Sequence, residues 1–191
     1  EYSFGHDDYQ EVKRYSENVV NIYENNNFPV DKYYSVSGAY LAIAFTCLGD
    51  HETALRVFNY LLSRSDIYNY FDDKVWTLTF LAFAESNVAV GKYAMAEEYC
   101  HKLELLVNDK FAKNKLLNFL ANNEYGYAFL CHGEYQKSIP YFEKALDISM
   151  SIKNGYQQQT SVLTNLGLSY YYSSEFAKSL ECLTKCRQIY D

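Results

Sequence analysis

A spacing governs what this chain can fold into. Gly49, Gly91 and Gly133 stand 42 residues apart, and Ser174 follows 41 residues later in the same register. Seven residues before each of these positions the side chain is small: Ala42, Ala84, Gly126 and Gly167. Five residues after, it is small again, at Ala54, Ala96, Ser138 and Ser179. Nine after, a larger space is filled by Phe58, Cys100, Phe142 and Leu183. A slip of one residue destroys all three columns. Apolar and small residues at Tyr135, Ser138, Ile139, Phe142, Ala145 and Leu146 fall on one helical face. A helix of this kind needs a neighbour to cover that face, and a fixed period supplies one from each adjoining unit. The expectation is an all-α repeat protein in which paired helices meet at each turn glycine.

The residues Tyr125, Gly126, Phe129, Gly133, Tyr135, Ser138, Phe142 and Ala145 resemble the signature of the tetratricopeptide repeat. That resemblance implies a right-handed superhelix of about four and a half helix-turn-helix units. Counting one period back from Gly49 reaches Asp7, so Tyr9, Val12, Ser16 and Val19 complete a half repeat over 7–24. The full repeats are expected near 32–64, 72–107, 110–152 and 156–190, in a single domain over 1–191. Longer connections are expected at 65–69, at Asn108 and Asp109, and at 153–155. The 2 prolines and 8 glycines, with no Ser/Gly-rich linker, give no domain boundary inside the array.

A net charge of −7 and scattered basic residues argue against a nucleic-acid surface, which needs concentrated Lys and Arg. No apolar run approaches the roughly 20 residues that span a bilayer, and no signal-peptide pattern opens the chain. The chain begins at Glu1 rather than methionine and is expected to be a piece of a longer protein. The 5 cysteines include no Cys-x-x-Cys pair and fall on helices, as reduced thiols of a cytoplasmic protein would. Histidines 6, 51, 101 and 132 form no i, i+4 pair, and no phosphate loop or nucleophile elbow is present. No catalytic site, metal or cofactor is expected.

Binding is the remaining class. In a tetratricopeptide superhelix the first helix of each pair lines a concave groove. Thirteen, ten, six and three residues before the turn give Leu120, Asn123, Tyr127 and Leu130 in the third unit. The fourth unit gives Ser161, Thr164, Leu168 and Tyr171. In the second unit the same rule gives Leu78, Leu81, Glu85 and Val88, and in the first Val36, Ala39, Ile43 and Thr46. The lining is mostly apolar. Asn122, Asn123 and Asn165 lie on or beside it, and an asparagine amide can both donate to and accept from an extended peptide backbone; the alternative is that they cap or solvate helix surfaces. Glu85 is the one carboxylate of its unit's lining, suited to a basic ligand side chain or to solvent. The 21 tyrosines are expected mainly between helices, and at most two of Tyr170, Tyr171 and Tyr172 can face a groove.

The long period, with Ala145 to Ser149, Lys153-Asn154 and Leu163 to Tyr172, resembles the peptide-sensing repeats of Gram-positive regulators of the Rgg/Rap/NprR/PlcR/PrgX family. The resemblance implies a receptor for a short signalling peptide, a neighbouring output module and homodimerisation. The expected function is therefore that of a peptide-binding sensor domain of a quorum-sensing type transcriptional regulator. A protein-protein interaction scaffold, or the regulatory part of an enzyme lying outside this chain, are the alternatives.

Overall fold

The computed structural model describes residues 6–64 and 69–190, and all regular structure in them is helical. The helices are α1 (His6–Asn25), α2 (Lys32–Cys47), α3 (His51–Leu62), α4 (Asp73–Ala89), α5 (Tyr93–Lys110), α6 (Lys115–His132), α7 (Tyr135–Met150), α8 (Tyr156–Tyr172) and α9 (Phe176–Tyr190). They form two compact units, residues 1–92 and 93–191.

The turn column works as its spacing suggests. Gly49, Gly91 and Gly133 have φ of +82°, +75° and +84°, and Ser174 takes the same left-handed conformation at +63°. Each turn closes with the same pair of backbone bonds. At the third, Gly133 N–H donates to Leu130 O at 3.1 Å and Glu134 N–H to Phe129 O at 2.9 Å; at the fourth, Ser174 donates to Tyr171 O and Glu175 to Tyr170 O. This is the Schellman arrangement, which satisfies the last carbonyls of a helix while reversing the chain. Helix starts also follow the repeat. Asp31, Asp72 and Asn114 cap α2, α4 and α6 by accepting from Tyr34, Val75 and Leu117 N–H. Gly155 holds the corresponding place before α8 without a side-chain cap.

In the unit of residues 1–92, α2 packs against α1, α3 and α4, and α3 packs against α4. Phe58 and Phe83 meet edge to face at 5.1 Å and are fully buried. Each such side chain contributes about 1.5–3 kcal/mol by leaving water. A buried hydroxyl pair, Thr46 Oγ1 and Ser86 Oγ at 2.8 Å, joins α2 to α4. Trp76 stacks on Phe80 and packs, partly buried, against the cluster of Ala39, Leu61, Phe71 and Val75. The connection expected at 65–69 lies, but for Asn69, outside the described residues.

In the unit of residues 93–191, each helix packs on the next, and α6 also touches α8. A Cβ at Gly126 would lie 2.9 Å from the Phe142 ring, so the glycine is what lets α7 approach α6. Gly167 meets Leu183 in the same register, though the fourth member of that column is 45% exposed where Phe58, Cys100 and Phe142 are fully buried. One boundary moves. The connection expected at Asn108-Asp109 lies instead at 111–114, because α5 continues to Lys110. There Asn118 Nδ2 donates to the carbonyls of Phe111, Ala112 and Asn114 and fixes the turn.

Candidate peptide-binding face

The first helices of the repeats in residues 93–191 are α6 and α8. Their buried sides are set by Phe119, Ala121, Asn122, Gly126 and Phe129 on α6 and by Val162, Leu163, Leu166 and Gly167 on α8. The remaining side of each helix carries the residues singled out from sequence. Tyr127, Leu168 and Tyr171 are 38%, 40% and 55% exposed, and Thr164 is exposed as well. Asn123 and Asn165 are half-buried at the margin of this apolar strip.

The amides of Asn123 and Asn165 form no side-chain hydrogen bond among the described residues, and Asn123 Oδ1 is shielded from water without a partner. A desolvated acceptor left unpaired is costly, and this oxygen can take an incoming N–H only when the Asn123 side chain turns outward. Thr164 is committed differently, with Oγ1 donating to Thr160 O at 2.8 Å and lying 3.6 Å from Cys186 Sγ on α9. Asn122 does not lie on the strip. It is 3% exposed, and its Nδ2 donates to Asn118 O at 2.7 Å. The helical step of about 100° between neighbours turns Asn122 inward while Asn123 reaches the margin.

The strip also departs from the counted positions at its end. Three residues before the turn, Thr46, Val88 and Leu130 are buried, and only Tyr171 is exposed. Two residues before the turn, Cys47 and Tyr172 are exposed and Cys131 is half-buried. The signal was available: this position lies four residues after Tyr127 and its equivalents, hence on the same face. Tyr127 hydrogen-bonds the Cys131 thiol; burial, the larger effect, nevertheless pushes that thiol's pKa up. Of the tyrosine triplet, Tyr170 is buried and bonds Glu143 at 2.6 Å, while Tyr171 and Tyr172 are exposed.

Glu85 belongs to the unit of residues 1–92. Water reaches it from one side, yet the surrounding protein desolvates its carboxyl enough to raise its pKa. It stands near Cys47 and Tyr9. Burial pushes the Tyr9 phenol up to about 12, helped by its hydrogen bond to Cys47. Cys47 is raised by burial and by Glu85, against the bond from Tyr9, so it is a weak nucleophile at neutral pH. Among the described residues no three His, Cys, Asp or Glu side chains gather into a metal site, and no helix is long and apolar enough to cross a membrane.

Residues 116–191 match the tetratricopeptide repeat family. Among solved structures, a protein described as a putative kinesin light chain with nearly identical TPR-like repeats, from Podosopora anserina, superposes with a TM-score of 0.73 at 16% identity, covering 95% of this chain and 87% of that one. A single-residue variant of that protein gives 0.74, also at 16% identity, with 95% and 86% covered. BtubC (BKLC) from P. vanneervenii gives 0.76 at 18% identity, covering 96% of this chain and 76% of its own. No curated protein matches. At such identities the likeness is one of fold. The fold is thus an all-α, tetratricopeptide-like helical repeat.

Proposed function

We propose that this chain is a non-catalytic binding module that receives a short, largely apolar peptide segment along α6 and α8. The observation that carries this reading is the pairing of two unengaged amides, Asn123 and Asn165, with the exposed apolar strip of Tyr127, Leu168 and Tyr171. The amides recognise main-chain N–H and C=O groups of any extended segment, and the strip takes its apolar side chains. Replacing Asn123 and Asn165 by alanine, singly and together, tests the assignment. Each loss should weaken a bound peptide by about fivefold or more, following the usual 1 kcal/mol of a hydrogen bond. Unchanged affinity of the double variant, measured by calorimetry, refutes the face.

A narrower reading makes the peptide a signal and the chain the sensor domain of a cytoplasmic, homodimeric transcriptional regulator. It is supported by the likeness of Ala145 to Ser149, Lys153-Asn154 and Leu163 to Tyr172 to Rgg/Rap/NprR/PlcR/PrgX-type repeats. Binding would then shift the equilibrium between two arrangements of an attached output. Mass spectrometry of small molecules retained by the protein from its native host distinguishes the readings. One short apolar peptide that rebinds after synthesis supports the sensor. Recovery of a large protein partner and no peptide supports a scaffold.

A further inference from the structure

The outer face of α9 repeats a face that is already occupied one repeat earlier. The register that sets Ser174 41 residues after Gly133 aligns α9 with α7, matching Phe176 to Tyr135, Ser179 to Ser138, Leu180 to Ile139 and Leu183 to Phe142. On α7 these side chains meet α8. Ile139 and Phe142 share one buried cluster with Val162, Leu163 and Leu166, the Tyr135 ring stacks on Tyr172 at 4.9 Å, and Ser138 Oγ donates to Ser169 Oγ at 2.7 Å.

On α9 the same columns are open. Leu180 is 68% exposed where Ile139 is 8% exposed. Phe176 meets the edge of Tyr171 at 5.6 Å and is otherwise exposed. Leu183 packs one side against Gly167, as Phe142 does against Gly126, and leaves the other side to solvent. Ser179 is buried, yet its hydroxyl forms no hydrogen bond among the described residues. Lys178 and Lys185 are each paired within α9, to Glu175 at 2.6 Å and to Glu181 at 2.7 Å, so the helix meets its own lysine charges and the face is left to apolar packing.

Helices pack by fitting the ridges of one into the grooves of the other, so the face that α8 presents to α7 specifies the kind of helix that fits α9. We infer that the outer face of α9 docks an amphipathic helix of a partner protein. That helix sets aliphatic side chains, spaced as Val162, Leu163 and Leu166 are, against Leu180 and Leu183. It brings a hydroxyl at the place of Ser169 to Ser179 and a ring at the place of Tyr172 to Phe176. The face uses none of the residues of the α6–α8 strip and does not depend on that strip binding a peptide.

The test titrates the whole chain into a fluorescently labelled peptide of residues 156–172, the sequence of α8, with a scrambled peptide as control. Saturable binding of the α8 peptide alone is expected, and Leu180→Glu should weaken it by about tenfold or more, because a charge would be buried against apolar side chains. Phe176→Ala should weaken it severalfold, and Asn123→Ala, in the separate strip, should leave it unchanged. Both α9 positions are exposed, so melting curves of these variants should match the parent. Equal binding of the scrambled peptide, unchanged affinity in Leu180→Glu, or no saturable binding overturns the inference. A loss in Asn123→Ala without one in Leu180→Glu places the peptide on the strip and overturns it as well. Sedimentation velocity of the chain alone gives the last outcome: a dimer that Leu180→Glu dissolves assigns the face to a second copy, against a partner's helix.

Discussion

Ser174 carries a conformation that its three counterparts assign to glycine. At φ +63° its Cβ crowds the backbone, where Asn27 and Asn154, the other left-handed residues with side chains among the described residues, are of a type that tolerates it. Ser174→Gly should therefore stabilise the protein by roughly 0.5–1 kcal/mol, the strain relieved outweighing the added freedom of the unfolded chain. Urea denaturation reads this, and a lower midpoint would show that the serine is not strained. Glu85 makes a residue-scale prediction of the opposite kind. Its folded pKa is raised above the usual 4.5, so the folded state binds its proton more tightly than the unfolded state does. Its stability contribution is therefore most favourable below that value and is lost as pH rises through the window from 4.5 to the folded pKa. Glu85→Gln should raise the melting temperature at pH 7 and have much less effect at pH 4. An equal effect at both pH values would mean that the carboxyl is not desolvated.

Helix limits show how far the sequence can be read and where it stops. The turn glycines, the small columns and the Gly126–Phe142 contact follow from a period visible in the letters, because each depends on one residue type at one spacing. The break between α5 and α6 does not, since it depends on Asn118 reaching back to three carbonyls, a choice among several turn-prone residues that only geometry makes. The exposure of the residues of the proposed face is legible in the same graded way. Tyr127, Leu168 and Tyr171 fall on the exposed side as counted, while Asn122 turns inward because one helical step separates margin from core. Asn114 is the element-scale test. Its side chain caps α6 through Leu117 N–H at 3.1 Å, and Asn114→Ala should cost about 1 kcal/mol in chemical denaturation. Restoring the missing cap of α8 by Gly155→Asn should not repay the same amount, because a Cβ there would lie 2.7 Å from Ser149 O. No loss in Asn114→Ala would place the start of α6 under the control of packing alone.

At the scale of the whole molecule, stability is carried by repeat-to-repeat burial, with ion pairs secondary. Pairs such as Lys102–Glu98 and Lys185–Glu181 lie within single helices at the surface, where each contributes about 0–1 kcal/mol and is screened by salt. In repeat proteins, stability is close to a sum of unit and neighbour terms, so a segment with its own core can fold alone. Residues 93–191 have such a core: Phe119, Ile139, Phe142, Val162, Leu163 and Leu166 form one buried cluster reached by α6 through α9. The hydroxyls of Ser138 and Ser169 meet inside the same unit at 2.7 Å, so this buried contact between α7 and α8 is also satisfied internally. The fragment 93–191 should accordingly show a helical circular dichroism spectrum and a cooperative thermal transition. It should also keep the strip proposed to bind peptide, because Asn123, Tyr127, Asn165, Leu168 and Tyr171 all belong to it. A fragment without helical signal would mean that the core of α6 to α9 is too small to offset the entropy of ordering five helices, and that the two compact units are stable only as one chain.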